Sequence, residues 1–137
     1  MIDFFKESEK LLYEVTTMKA AIQNMQERHA ALAKIASERP KAAPGKKSKG
    51  EFSDAERLWL EYRNTDLQIK HTKIIVGQIE QAMQQLENEE RVILQLWYID
   101  RIPKEKILDK MHYESVTSLY NIKNRAVRRF TMLYYGV

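Results

Sequence analysis

From Phe4 onward, apolar residues return on a seven-residue period through Leu11, Met18, Met25 and Leu32, with Val15, Ile22 and Ala36 forming the neighbouring row and His29 filling its polar slot. Alternation by four and three is the seam of a long amphipathic helix. It predicts one helix over 3–36. The stretch SERPKAAPGKKSKGE, 37–51, breaks the rhythm with two prolines, two glycines and the basic residues Arg39, Lys41, Lys46, Lys47 and Lys49. It predicts a mobile basic linker, either a supplementary contact to phosphate or an acidic partner, or a solvated loop. Ser53-Asp54-Ala55-Glu56 has the form of a capping box, in which hydroxyl and carboxylate each satisfy an orphan amide at a helix start. The second seam then runs through Leu58, Tyr62, Thr65, Ile69, Thr72, Val76, Ile79, Met83 and Leu86.

Two such helices, each about 50 Å long at about 1.5 Å per residue, are expected to pair antiparallel as a coiled-coil-like hairpin. Trp59, Leu60, Leu67, Ile74 and Ile75 lie off the seam. Covering them calls for a homo-oligomer, a dimer by preference, or for packing on the C-terminal region; a monomeric bundle is the alternative.

Shorter patterns follow. Asn88 is the expected cap of a helix over 89–98 that turns Val92, Ile93, Leu96 and Trp97 inward. Asp100-Arg101 makes a turn, and Pro103 suits the first turn of a helix buried through Ile107, Leu108 and Met111. His112-Tyr113-Glu114 is the next turn. Ser115 or Ser118 then caps a last helix anchored by Leu119, Ile122, Ala126 and Phe130. The expected fold is all-α: a helical hairpin domain over 1–86, then a helix-turn-helix domain over 87–137.

Composition narrows the function. The 137 residues are 44% hydrophobic and 31% charged, with no cysteine, which excludes disulfide scaffolding, cysteine metal sites and thiol catalysis and is compatible with a reducing cytoplasm. Lys6 and Glu7 interrupt the apolar start too early for a signal peptide, and no apolar run approaches the roughly 18 residues that span a bilayer. The expectation is a cytoplasmic chain without a membrane span. His29, His71 and His112 lie on separate segments, and the four glycines build no phosphate loop. Glu87, Glu89 and Glu90 suit a helix N-terminus through its dipole better than a metal. Neither catalysis nor a cofactor or metal is expected.

The net charge of +4 says less than its placement. Over 115–137 the charges are Lys123, Arg125, Arg128 and Arg129 with no carboxylate, whereas 86–114 is net acidic. Charge gathered on one element suits a phosphate-facing helix, and Ser115, Thr117, Ser118, Asn121 and Asn124 offer short polar groups for base edges or phosphate. A basic amphipathic helix with a solvated face is the plainer reading.

The series Glu90-Arg91-Val92-Ile93-Leu94, Leu96-Trp97-Tyr98, Glu105, Ile107-Leu108, Met111, Leu119, Arg125-Ala126 and Phe130 resembles region four of the bacterial sigma factors. Tyr113-Glu114-Ser115, Ser118-Leu119-Tyr120 and Arg125-Ala126-Val127-Arg128-Arg129-Phe130 look more like the sigma-like phage regulators of the ArpU/RinA type. The resemblance spans about the last fifty residues. Two features depart from it: His112 stands where the sigma turn commonly has glycine, and Met111 to Leu119 is one residue longer than the usual spacing.

The resemblance implies that the helix from Ser115 enters the major groove, and that the helix before it crosses the backbone with Lys104, Lys106 and Lys110 near phosphates. It also adds Tyr120 to the base-reading candidates. The function so implied is a phage or prophage transcriptional regulator binding double-stranded DNA, with RNA polymerase as a further partner. A small terminase subunit, and a sigma-like protein that holds polymerase without its own DNA affinity, remain alternatives.

Overall fold

The computed structural model describes residues 1–38 and 53–137. All regular structure among these residues is helical: α1 (Phe4–Glu38), α2 (Asp54–Gln84), α3 (Asn88–Leu94), α4 (Lys104–Met111) and α5 (Val116–Tyr135). Of the basic linker, residues 39–51 lie outside the described residues; Ser37 and Glu38 still belong to α1.

By contact the chain divides into two compact units, one of residues 1–18 with 75–137 and one of residues 19–74. The division falls within α1 and α2. In the unit of residues 19–74, α2 opens on Ser53, whose Oγ accepts the Glu56 N–H at 3.2 Å as the capping pattern predicts. Leu32, Thr65 and Ile69 are buried, and His29 stacks on Tyr62 with ring centroids 4.0 Å apart. Trp59, Leu67 and Ile74 keep more than half of their surface open, and Leu60 is also exposed.

The unit of residues 1–18 and 75–137 holds the larger core. Leu12, Val15, Ile79, Ala82, Met83 and Leu86 pack with Ile93, Leu94, Tyr98, Ile107, Leu119, Ala126, Val127 and Phe130. The first helix thus buries Leu12 and leaves the predicted seam residue Leu11 half-buried. Polar contacts complete the fit: Ser8 and Thr131 share a buried hydrogen bond of 2.7 Å, and the Tyr98 hydroxyl donates to Glu9 at 2.7 Å.

Glu87, not Asn88, is the N-cap of α3, and its N–H donates to Glu90 Oε1 at 3.3 Å. The helix expected to run to Tyr98 widens instead into a π-helical turn over Gln95–Ile99, closed by the Asp100 N–H on the Gln95 carbonyl at 2.8 Å. Arg101 follows with φ of 53° and reaches the Tyr13 carbonyl through its guanidinium. Pro103 stands one position ahead of α4, as its N-cap.

The link between α4 and α5 is short. His112 is left-handed, with φ of 58° and ψ of 36°. The His112 N–H donates to the Asp109 carbonyl, and the Tyr113 N–H reaches back to Leu108 at 3.2 Å. This is the Schellman closure that glycine usually makes. Histidine tolerates the left-handed region better than most side chains, so the turn is kept without glycine. Ser115 then caps α5, its Oγ accepting the Ser118 N–H at 3.1 Å.

Because the left-handed backbone costs a side-chain-bearing residue about 1–2 kcal/mol while glycine's extra unfolded entropy returns part of that, His112→Gly is expected to stabilise the chain by about 0.5–1 kcal/mol. His112→Val should destabilise it. Urea unfolding of the three chains checks this; a glycine variant less stable than the parent contradicts the strained turn.

Candidate nucleic-acid interface

The buried row of α5 is Leu119, Lys123, Ala126, Val127, Phe130 and Thr131. Residues on the other side of the cylinder are thereby turned outward. Thr117, Asn121 and Arg128 stand exposed there, with Asn124 half-buried. None of the four hydrogen-bonds or ion-pairs with another described residue. On α4, Lys106 and Lys110 are likewise exposed and unengaged, and Lys104 is exposed with its Nζ donating to the Tyr120 hydroxyl at 2.7 Å. That bond holds the Lys104 ammonium above the ordinary lysine range.

Several predicted contacts are otherwise occupied. Lys123 is buried: its Nζ lies 3.7 Å from Glu9 and over the rings of Trp97, Tyr120 and Phe5, the nearest centroid 5.1 Å away. It is a core cation held by a carboxylate and aromatic faces, not a phosphate contact. Arg125 and Arg129 keep 46% of their side-chain surface but turn toward α3. Arg125 Nε lies 3.5 Å from Glu90 and its Nη2 lies 3.7 Å from Glu89; Arg129 Nη1 lies 3.2 Å from Glu87 and 3.3 Å from Glu90. The charge of α5, unopposed along its own sequence, is opposed in space. Arg128 is the one arginine of the three left without a carboxylate.

The same holds for hydroxyls at the tip. Ser115 Oγ accepts the capping N–H and shares a hydrogen bond of 3.0 Å with the Ser118 hydroxyl, so the pair keeps one hydroxyl hydrogen free to donate. Tyr120 leans edge-on against Trp97, ring centroids 5.2 Å apart, while its hydroxyl accepts from Lys104. Of the base-reading candidates, Thr117, Asn121 and Asn124 are free; of the phosphate candidates, Lys106, Lys110 and Arg128.

Two features escaped the sequence reading. One is Val116, exposed at the first position of α5. The other is the pairing of Glu87, Glu89 and Glu90 with α5, which the spacing carries: carboxylates three apart at 87 and 90 match guanidiniums four apart at 125 and 129.

No group of histidines or carboxylates that could hold a metal occurs among the described residues. His71 and His112 are exposed, and His29 Nε2 is buried without a hydrogen bond. Nor is any helix among those residues long and apolar enough to cross a membrane. Comparison with protein-family models, with curated proteins and with solved structures found no match.

Burial and the bond to Glu9 push the Tyr98 phenol far above its ordinary range, and burial with the bond to Glu89 does the same to Tyr113. Burial also raises Tyr134 and Tyr135. A folded pKa above the unfolded one means that the stabilisation is complete below the unfolded value of about 10 and is lost as pH rises from there through the folded value. Absorbance at the phenolate band should therefore show Tyr98 ionising only with alkaline unfolding, and Tyr113, Tyr134 and Tyr135 at higher pH than a free phenol. Ionisation of Tyr98 near pH 10 in a folded chain would refute the burial of its hydroxyl.

Proposed function

We propose that this chain is a sequence-specific DNA-binding transcriptional regulator of a phage or prophage, acting in the bacterial cytoplasm, with α5 entering the major groove. The observation that carries the reading is the pair Thr117 and Asn121. They lie four residues apart on one face of the first two turns of α5, both exposed and both free. An asparagine amide so placed can bond adenine through its N6 and N7 atoms, and a threonine can meet base edges through hydroxyl and methyl.

Support comes also from the short left-handed turn, which sets α4 beside α5, and from Lys106 and Lys110 on α4 and Arg128 on α5 as phosphate-seeking charges. The resemblance to sigma region four and to ArpU/RinA-type regulators points the same way. In this reading the exposed Trp59, Leu60, Leu67 and Ile74 serve association, as a dimer or with RNA polymerase. A dimer would set its reading helices one helical repeat of about 34 Å apart, or a multiple of it, on an inverted repeat.

Selection of duplexes from a randomised pool by the full chain, followed by titration at several salt concentrations, tests the proposal. Asn121→Ala is expected to relax the preference at one base pair by about 1–3 kcal/mol. Lys106→Ala and Arg128→Ala should weaken binding to all duplexes alike and each lower the salt slope by about 1. Arg125→Ala should act mainly on stability, because its charge is already met by Glu89 and Glu90. Failure to enrich any sequence, or a slope indifferent to Lys106 and Arg128, refutes the assignment. A ring of many subunits in solution would favour the terminase alternative.

A further inference from the structure

Val116 opens α5 with 50% of its surface exposed, and it is the one hydrophobic side chain exposed along residues 104–131. It continues the row of Leu119 and Lys123 to the open end of the helix, where half of its surface is left to solvent. A β-branched residue is a middling helix former, and Val116 is not part of the apolar cluster that anchors α5. A serine, an aspartate or a lysine would serve that position in water as well or better.

The groups around it sharpen the question. The hydroxyls of Ser115 and Ser118 are turned onto the cap and onto each other, and Tyr120 is held by Trp97 and Lys104. Beside the Thr117 hydroxyl and the one hydroxyl hydrogen left by the serine pair, the tip offers an incoming surface the methyl groups of Val116 and Thr117 and the amide of Asn121. In a helix that enters the major groove, the N-terminal residues are those that meet base edges. Thymine is the base that presents an apolar group in that groove, its C5-methyl.

We propose that Val116 selects a thymine by packing its γ-methyl groups against the thymine C5-methyl. The inference rests on the reading of α5 as the groove-entering helix and adds to it the chemical identity of one base. It predicts a subsite at the tip of α5 in which a thymine is read through its methyl by Val116.

The test replaces each thymine of a pool-selected duplex, one at a time, by deoxyuridine, which keeps every hydrogen-bonding group and removes only the methyl. Affinity is measured for the full chain and for Val116→Ala, whose fold is checked by helical circular dichroism. One replacement per bound chain is expected to weaken the parent about fourfold, the worth of one buried methyl-sized group. Val116→Ala should bind the thymine and uracil duplexes alike. Parent affinity unchanged at every replacement, or a penalty of equal size in Val116→Ala, overturns the role of Val116 while leaving DNA binding in place. A full chain that enriches no duplex removes the groove reading itself, and this inference with it.

Discussion

The buried carboxylate of Glu90 is shared between Arg125 and Arg129 and accepts the Glu87 N–H, and the arrangement of the C-terminal helices turns on it. A charge taken out of water is tolerated only when partners replace its hydration. Here two guanidiniums, each nearly half exposed, reach inward from one helix to meet a carboxylate sealed on another. The pairing constrains α5 in rotation as well as position. With 125 and 129 turned to α3, and 119, 126 and 130 turned to the core, Thr117, Asn121 and Arg128 have only the outside left.

This constraint changes where an electrostatic contact can come from. Four positive charges lie on α5, and three of them face carboxylates: Lys123 meets Glu9, and Arg125 and Arg129 meet the start of α3. Positive charge free to meet a phosphate therefore belongs mostly to α4, with Arg128 on α5. In the proposed reading, α5 therefore reads more than it attracts. The division matches the general one in nucleic-acid recognition, where phosphate contacts set position and base contacts set preference.

The helices were legible in the sequence because their signals are local. The helices that the seven-residue rows predict, the Ser53 cap and the Ser115 cap each depend on residues within a turn or two and appear where their patterns put them, although the first helix buries Leu12 rather than Leu11. The left-handed turn at His112 was legible as one of two outcomes, since histidine there had either to accept positive φ or to change the turn. Less legible were features set by contacts distant in sequence. Lys123 looks like a surface cation until Glu9, from the first helix, and Trp97, from the π-helical turn, close around it. Arg125 and Arg129 look free because their carboxylates stand more than thirty residues earlier. The π-helical turn at Gln95–Ile99 left no local signal, because a chain reads as helical whether a hydrogen bond spans four residues or five. Val116 was passed over because only its exposure sets it apart from any other helical valine.

The central claim is that the tip of α5, held outward by the Glu90 cluster, is the surface that meets a duplex. Backbone amide chemical-shift mapping of the full chain during titration with a selected duplex tests this most directly. The account predicts that the largest shifts fall on Val116, Thr117 and Asn121, with smaller ones at Lys106 and Lys110 and none within the core row of Leu119, Val127 and Phe130. Shifts confined to the exposed side of α2 around Trp59 and Leu67, with the tip of α5 unmoved, would contradict it.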